Sequence, residues 1–132
     1  MSKRGLHWRW VLFGVAVMVG LHVVAYYALT RQLVGMVDDE PVVAFGTAVG
    51  VSLGIFFVGG LLVGRLSPGR TIQEPAVAGV FGLVMVVALQ LLVGMINIFG
   101  LLLGAPFSFA MSYLGGWVGE KWQTSSEHQA GR

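Results

Sequence analysis

Residues 75–119 read PAVAGVFGLVMVVALQLLVGMINIFGLLLGAPFSFAMSYLGGWVG, and all 45 are uncharged. One straight helix of that length would run about 68 Å at 1.5 Å per residue, whereas about 20 apolar residues suffice to cross a hydrocarbon core of roughly 30 Å. The stretch therefore predicts two membrane crossings joined by a turn. Two shorter uncharged intervals precede it: 21 residues between Arg9 and Arg31, and 24 between Glu40 and Arg65. Each fits one crossing. Ionised side chains are costly at membrane depth, so the gaps in the charge map predict an all-α fold, a four-helix transmembrane bundle.

The predicted spans are 10–29, 42–64, 76–95 and 98–118, within a single membrane domain over 1–122. A polar tail, 123–132, reads as disordered. Loop 1, Thr30–Pro41, carries Asp38, Asp39 and Glu40 ahead of a first-turn proline, where acids suit the positive end of a helix dipole. Loop 2 is Arg65–Pro75. Loop 3 is a tight hairpin around Asn97 and Gly100. Lys3, Arg4 and Arg9 before an apolar run resemble a signal peptide, but Val11–Leu29 is longer than a usual h-region and no small-residue cleavage site closes it. It reads as an uncleaved first span.

Hydrophobic residues are 56% of the chain and charged residues 11%, far from a soluble domain. A formal charge of +2 with no basic run excludes nucleic acid as a partner. The absence of cysteine removes disulfides and thiolate chemistry. Lys3, Arg4, Arg9, Arg65, Arg70, Lys121 and Arg132 fall on one side of the predicted bundle and Arg31 alone on the other. Positive charge stays cytoplasmic, so the expected orientation is N-in, C-in. Trp8, Trp10, Trp117 and Trp122 then form an aromatic belt at the inner interface.

The chain has 20 glycines, and they fall into ladders. Gly46, Gly50 and Gly54 recur every four residues in span 2. Span 4 carries Gly100, Gly104, Ser108, Ser112 and Gly116. A four-residue step keeps small residues on one helix face, and small faces let helices approach closely in lipid. Gly60–Gly64 and Gly115–Gly119 repeat the pattern near the inner end. Two readings stand: packing within one subunit, or an oligomer. Pro106, inside span 4, predicts a kink.

No Asp, Glu, Lys or Arg lies within a predicted span. His22 and Gln90 lie about 18 and 21 Å up their helices at 1.5 Å per residue, with Thr47 in the same outer half. One reading is a polar cluster of His22, Gln90 and Thr47 lining a path or pocket. The other is that His22 and Gln90 hydrogen-bond each other or a carbonyl and fix helix register. A single intramembrane His offers one axial haem ligand per chain, so no cofactor is expected. Ser52, Ser108 and Ser112 lack an accompanying acid or lysine, and no catalytic set is expected. His7 and His128 read as interfacial rather than as a metal pair, and the acidic run 38–40 is a poor cage, so no metal site is expected.

Loop 2 holds the most distinctive string, Ser67-Pro68-Gly69-Arg70-Thr71-Ile72-Gln73-Glu74-Pro75-Ala76. Pro68-Gly69 fits a turn. Thr71 and Glu74 have capping-box spacing, and Glu74 before Pro75 is an equally good cap. Arg65, Arg70 and Glu74 are candidates for contact with inner headgroups or a cytoplasmic partner. The string resembles a group of small four-span bacterial membrane proteins in which S-P-G-x-T-x-x-E-P-A links two glycine-rich spans. The resemblance covers about a tenth of the chain and implies no activity. In size and span count the chain is also similar to small multidrug transporters and fluoride channels. It lacks the membrane carboxylate of the first and a polar pore motif of the second.

The combined expectation is a multi-pass protein of the bacterial inner membrane, a non-catalytic assembly or accessory subunit. Its partners would be the lipid bilayer and a homo-oligomer or membrane-protein partner. The alternative is a small channel or transporter for an ion or small solute.

Overall fold

The computed structural model describes residues 6–67, 72–92 and 98–130. These form four helices and, among the described residues, no strand: α1 (Trp8–Asp39), α2 (Pro41–Leu66), α3 (Gln73–Leu92) and α4 (Ile98–Ala130). Stretches long and apolar enough to cross a membrane occupy Trp8–Thr30, Pro41–Leu66 and Gln73–Leu92. Among the described residues α4 has no such window.

Two expected boundaries are corrected. Loop 1 is not a loop, because α1 stays helical to Asp39 and breaks only at Glu40 (φ −137°, ψ 70°). Pro41 disfavours helical geometry in the residue before it, so the break falls directly ahead of the proline. Glu40 makes no side-chain cap. At the other end, the polar tail expected to be disordered over 123–132 is helical as far as Ala130, where α4 ends. Pro106 lies within α4 and is exposed; its ring removes the backbone bond to the carbonyl four residues earlier. The Pro68-Gly69 turn, Arg70, Thr71 and Asn97 lie outside the described residues. So do the surroundings of Gly100 and the side chain of His128.

Helix contacts define an up-down-up-down order. Gly14, Met18 and His22 of α1 meet Val63, Gly59 and Ser52 of α2, so these two run antiparallel. Gly14 and Met18 also meet Ala78 and Gly82 of α3, so α1 and α3 run parallel. Gly60 and Gly64 of α2 meet Ser112 and Gly116 of α4, also parallel. Among the described residues the α2–α4 seam is the most extensive, and α1 and α4 share no contact, with α2 and α3 between them. The start of α1, the end of α2, the start of α3 and the Gly116–Trp122 part of α4 gather at one end.

The core lies between α1, α2 and α3: Val11, Met18, Ile55, Phe56, Ala78 and Leu83. Met18 is fully buried, and the bare faces of Gly59 and Gly82 make its room. Backbone meets backbone in the α2–α4 seam. A Cβ on Gly60 would run into the Ser112 carbonyl, one on Gly64 into Gly116, one on Gly115 into the Phe57 carbonyl, and one on Gly119 into the Leu61 carbonyl. A carbonyl cannot step aside as a side chain does, so these positions demand glycine. Gly60→Ala or Gly115→Ala should destabilise the bundle by about 1–3 kcal/mol through overpacking. Gly50→Ala, which meets nothing, should leave stability unchanged. Thermal unfolding of the detergent-solubilised variants by circular dichroism checks this; equal melting temperatures for all three would contradict the seam.

Candidate functional site

Three places in the bundle bring chemistry together, and the first is a polar clamp at its gathered end. Glu74, in the first turn of α3, is 0% exposed. A carboxylate there must find donors, since burying an unpaired charge is far costlier than burying a bonded one. It finds them on residues that flank two other helices, His7 just before α1 and Ser67 just after α2. The His7 backbone N–H donates to Glu74 Oε1 at 3.0 Å, and His7 Nδ1 lies 3.0 Å from the same oxygen. Ser67, itself buried, donates its hydroxyl to Oε2. With Glu74 ionised, His7 must carry its proton on Nδ1 to make this bond. The His7 side chain is 51% exposed, so it closes the clamp from the outside. One residue on, the Pro75 carbonyl accepts from the buried Ser112 hydroxyl, and the Pro75 ring fills the space left by Gly116.

This corrects the expectation for Glu74, which turns into the bundle instead of facing headgroups or a partner. Arg65 is exposed, with its guanidinium 5.9 Å from the Trp122 ring. Sequence reading missed His7 and Ser67 as ligands of the carboxylate. The available signal was Glu74 itself: an acid directly before an apolar span needs donors from chain ends that reach the same depth.

The second place is within α1 and α2. His22 Nδ1 is 2.8 Å from the Met18 carbonyl and Nε2 is 3.0 Å from Ser52 Oγ. A carbonyl only accepts, so in the neutral ring Nδ1 bears the hydrogen and Nε2 accepts from Ser52. The ring sits 5.0 Å from that of Phe56. The structure does not assemble His22, Gln90 and Thr47. Thr47 turns back to the Val43 carbonyl at 2.8 Å, and both Thr47 and Gln90 are exposed. The partner of His22 is Ser52, which spacing alone did not single out. No third catalytic group is described beside the pair, and both nitrogens of His22 are engaged, so haem ligation would require breaking one of these bonds. Among the described residues no three His, Cys, Asp or Glu side chains group as a metal site.

The third place is the outward half of α2. Gly46, Gly50 and Gly54 are exposed, and an added Cβ at any of them would meet nothing within 4 Å. In α4, by contrast, Ser112 and Gly116 are buried in contacts with α2 and α3, Ser108 is buried against α3, and Gly104 lies against Leu83 of α3. α4 thus covers the lower part of α2 and leans towards α3 further along. It leaves the upper glycines of α2 bare.

No known protein family, no curated protein and no solved structure matches the chain.

Removing the carboxylate should loosen the clamp. Glu74→Ala removes the shared acceptor of the Ser67 hydroxyl and the His7 N–H, and losing a buried acceptor of this kind costs about 1–3 kcal/mol. His7→Ala should cost less, because its ring is half exposed. Combined with Glu74→Ala it should add little, since the two share one interaction. Unfolding midpoints of the two single variants and the double variant test this, and simple additivity would show that the clamp is not a unit.

Proposed function

We propose that the chain is a four-span protein of the bacterial inner membrane, N-in and C-in, and acts as a non-catalytic assembly or accessory subunit. It would join its partner through the outer half of α2. One observation carries this reading. The glycines at the clamp end of α2 are used up against α4, whereas Gly46, Gly50 and Gly54 continue the ladder and are exposed among the described residues. In lipid, helices associate by close van der Waals packing, for which a bare glycine face is suited. The His22–Ser52 bond supports the same reading. It turns Ser52 towards α1, and residues two positions away, Gly50 and Gly54, point to the other side of α2.

Gly50→Leu should therefore keep the thermal stability of the protein and abolish its association. Cross-linking in native membranes, read as loss of the higher-mass band or of co-purifying protein, measures this. An unchanged band would remove α2 as the contact. Solute flux in proteoliposomes that His22→Ala abolishes would move the reading to a transporter.

The orientation has its own test. Ser67 is buried and unsuited to labelling, but Glu40 and Gln73 are exposed. A cysteine at position 73 should react only from the cytoplasmic side and one at position 40 only from the periplasmic side. The reverse pattern would invert the topology.

A further inference from the structure

A shallow depression of about 270 Å³ opens between the start of α3 and the gathered end of α4, lined by Ile72, Trp117, Glu120 and Lys121. Its volume is below the roughly 300–1,000 Å³ usual for sites that enclose drug-sized ligands, so it suits a small polar group. The lining pairs an apolar wall, Ile72 and Trp117, with one cation and one anion adjacent in sequence. The Lys121 ammonium rests 3.7 Å from the centre of the Trp117 ring, a cation–π contact that fixes its position. Glu120 and Lys121 each make a further interaction within the protein. Trp8, Trp117 and Trp122 are all exposed at this end. Tryptophan favours the level of the lipid headgroups.

From this arrangement we infer that the depression binds the headgroup of a zwitterionic aminophospholipid, with the lipid phosphate on Lys121 and its primary ammonium on Glu120. The inference rests on the membrane reading given above, and it adds a ligand and a site. A purely anionic headgroup would gain from Lys121 but be repelled by Glu120. A choline headgroup has no N–H to donate to the Glu120 carboxylate, whereas ethanolamine has three. Val80 and Phe81 of α3 and Phe109 and Leu114 of α4 are also exposed, apolar surface of the kind that acyl chains cover.

Native mass spectrometry of the full-length protein, titrated with phosphatidylethanolamine, phosphatidylcholine, phosphatidylglycerol and chain-free glycerophosphoethanolamine, tests the site. Phosphatidylethanolamine should bind about tenfold more tightly than the other two lipids, the amount one charge-assisted hydrogen bond contributes. Lys121→Ala and Glu120→Gln should each abolish the preference, while Arg65→Ala should retain it. Glu120→Lys should invert it towards phosphatidylglycerol, a gain that damage to the fold cannot produce. Equal binding of the three lipids, a preference that survives both single variants, or chain-free headgroup binding as tightly as lipid would each overturn the inference. A protein that stays soluble and monodisperse without detergent would instead remove the membrane reading itself.

Discussion

Close approach of α2 and α4 backbones is the contact on which the rest of the arrangement depends. Gly60 and Gly64 lie against Ser112 and Gly116, and Gly115 and Gly119 lie against the carbonyls of Phe57 and Leu61. In a bilayer, apolar side chains gain little by leaving lipid for one another, so helix association draws on van der Waals contact and on hydrogen bonds. Five glycines along one seam, Gly60, Gly64, Gly115, Gly116 and Gly119, maximise the first. They also set the axis separation so small that no side chain larger than hydrogen fits. Among the described residues, the close backbone contacts of the seam lie at one end of α2.

The clamp around Glu74 fixes that end from the other side. Ser67 belongs to the end of α2, His7 precedes α1, and Glu74 and Pro75 begin α3. Ser112 adds α4 through the Pro75 carbonyl. All four helices are thus joined within one turn of α3. The two polar contributions differ in kind. The hydroxyl of Ser112 satisfies a carbonyl that a helix start could leave to solvent, whereas His7 and Ser67 satisfy a carboxylate that has no access to solvent. Loss of the second kind leaves buried polar groups without partners, which is the more damaging case. The exposed glycine face of α2 lies at the opposite end, so a helix docking there would not disturb the clamp.

Much of the helical pattern was legible in the sequence. Charge-free intervals gave the number of helices, and the expected start of the second span at 42 lies one residue from the observed start of α2 at Pro41. The end of α1 was misplaced because Thr30, Arg31 and Gln32 read as a loop on polarity, although nothing before Pro41 forbids helix. The tail of α4 was misplaced for the same reason. At the site, the sequence singled out Glu74 and His22 but not their partners. His7 and Glu74 are 67 positions apart and His22 and Ser52 are 30 apart. Depth along a helix ranks residues by height but leaves rotation about the axis open. For that reason Gln90 and Thr47 matched His22 in height and yet face away from the bundle.

By itself the sequence determined which stretches are apolar enough for a bilayer, where prolines interrupt helices, and which faces are small enough for close packing. Those properties follow from solvation and local sterics, which each residue carries with it. Only the tertiary structure decided which glycines are filled and which are bare, and which donors reach the buried carboxylate. These depend on how each helix is turned about its axis and where neighbouring helices diverge. That is settled by all the contacts together, with the glycine seam and the Glu74 clamp at one end and the His22–Ser52 bond further along.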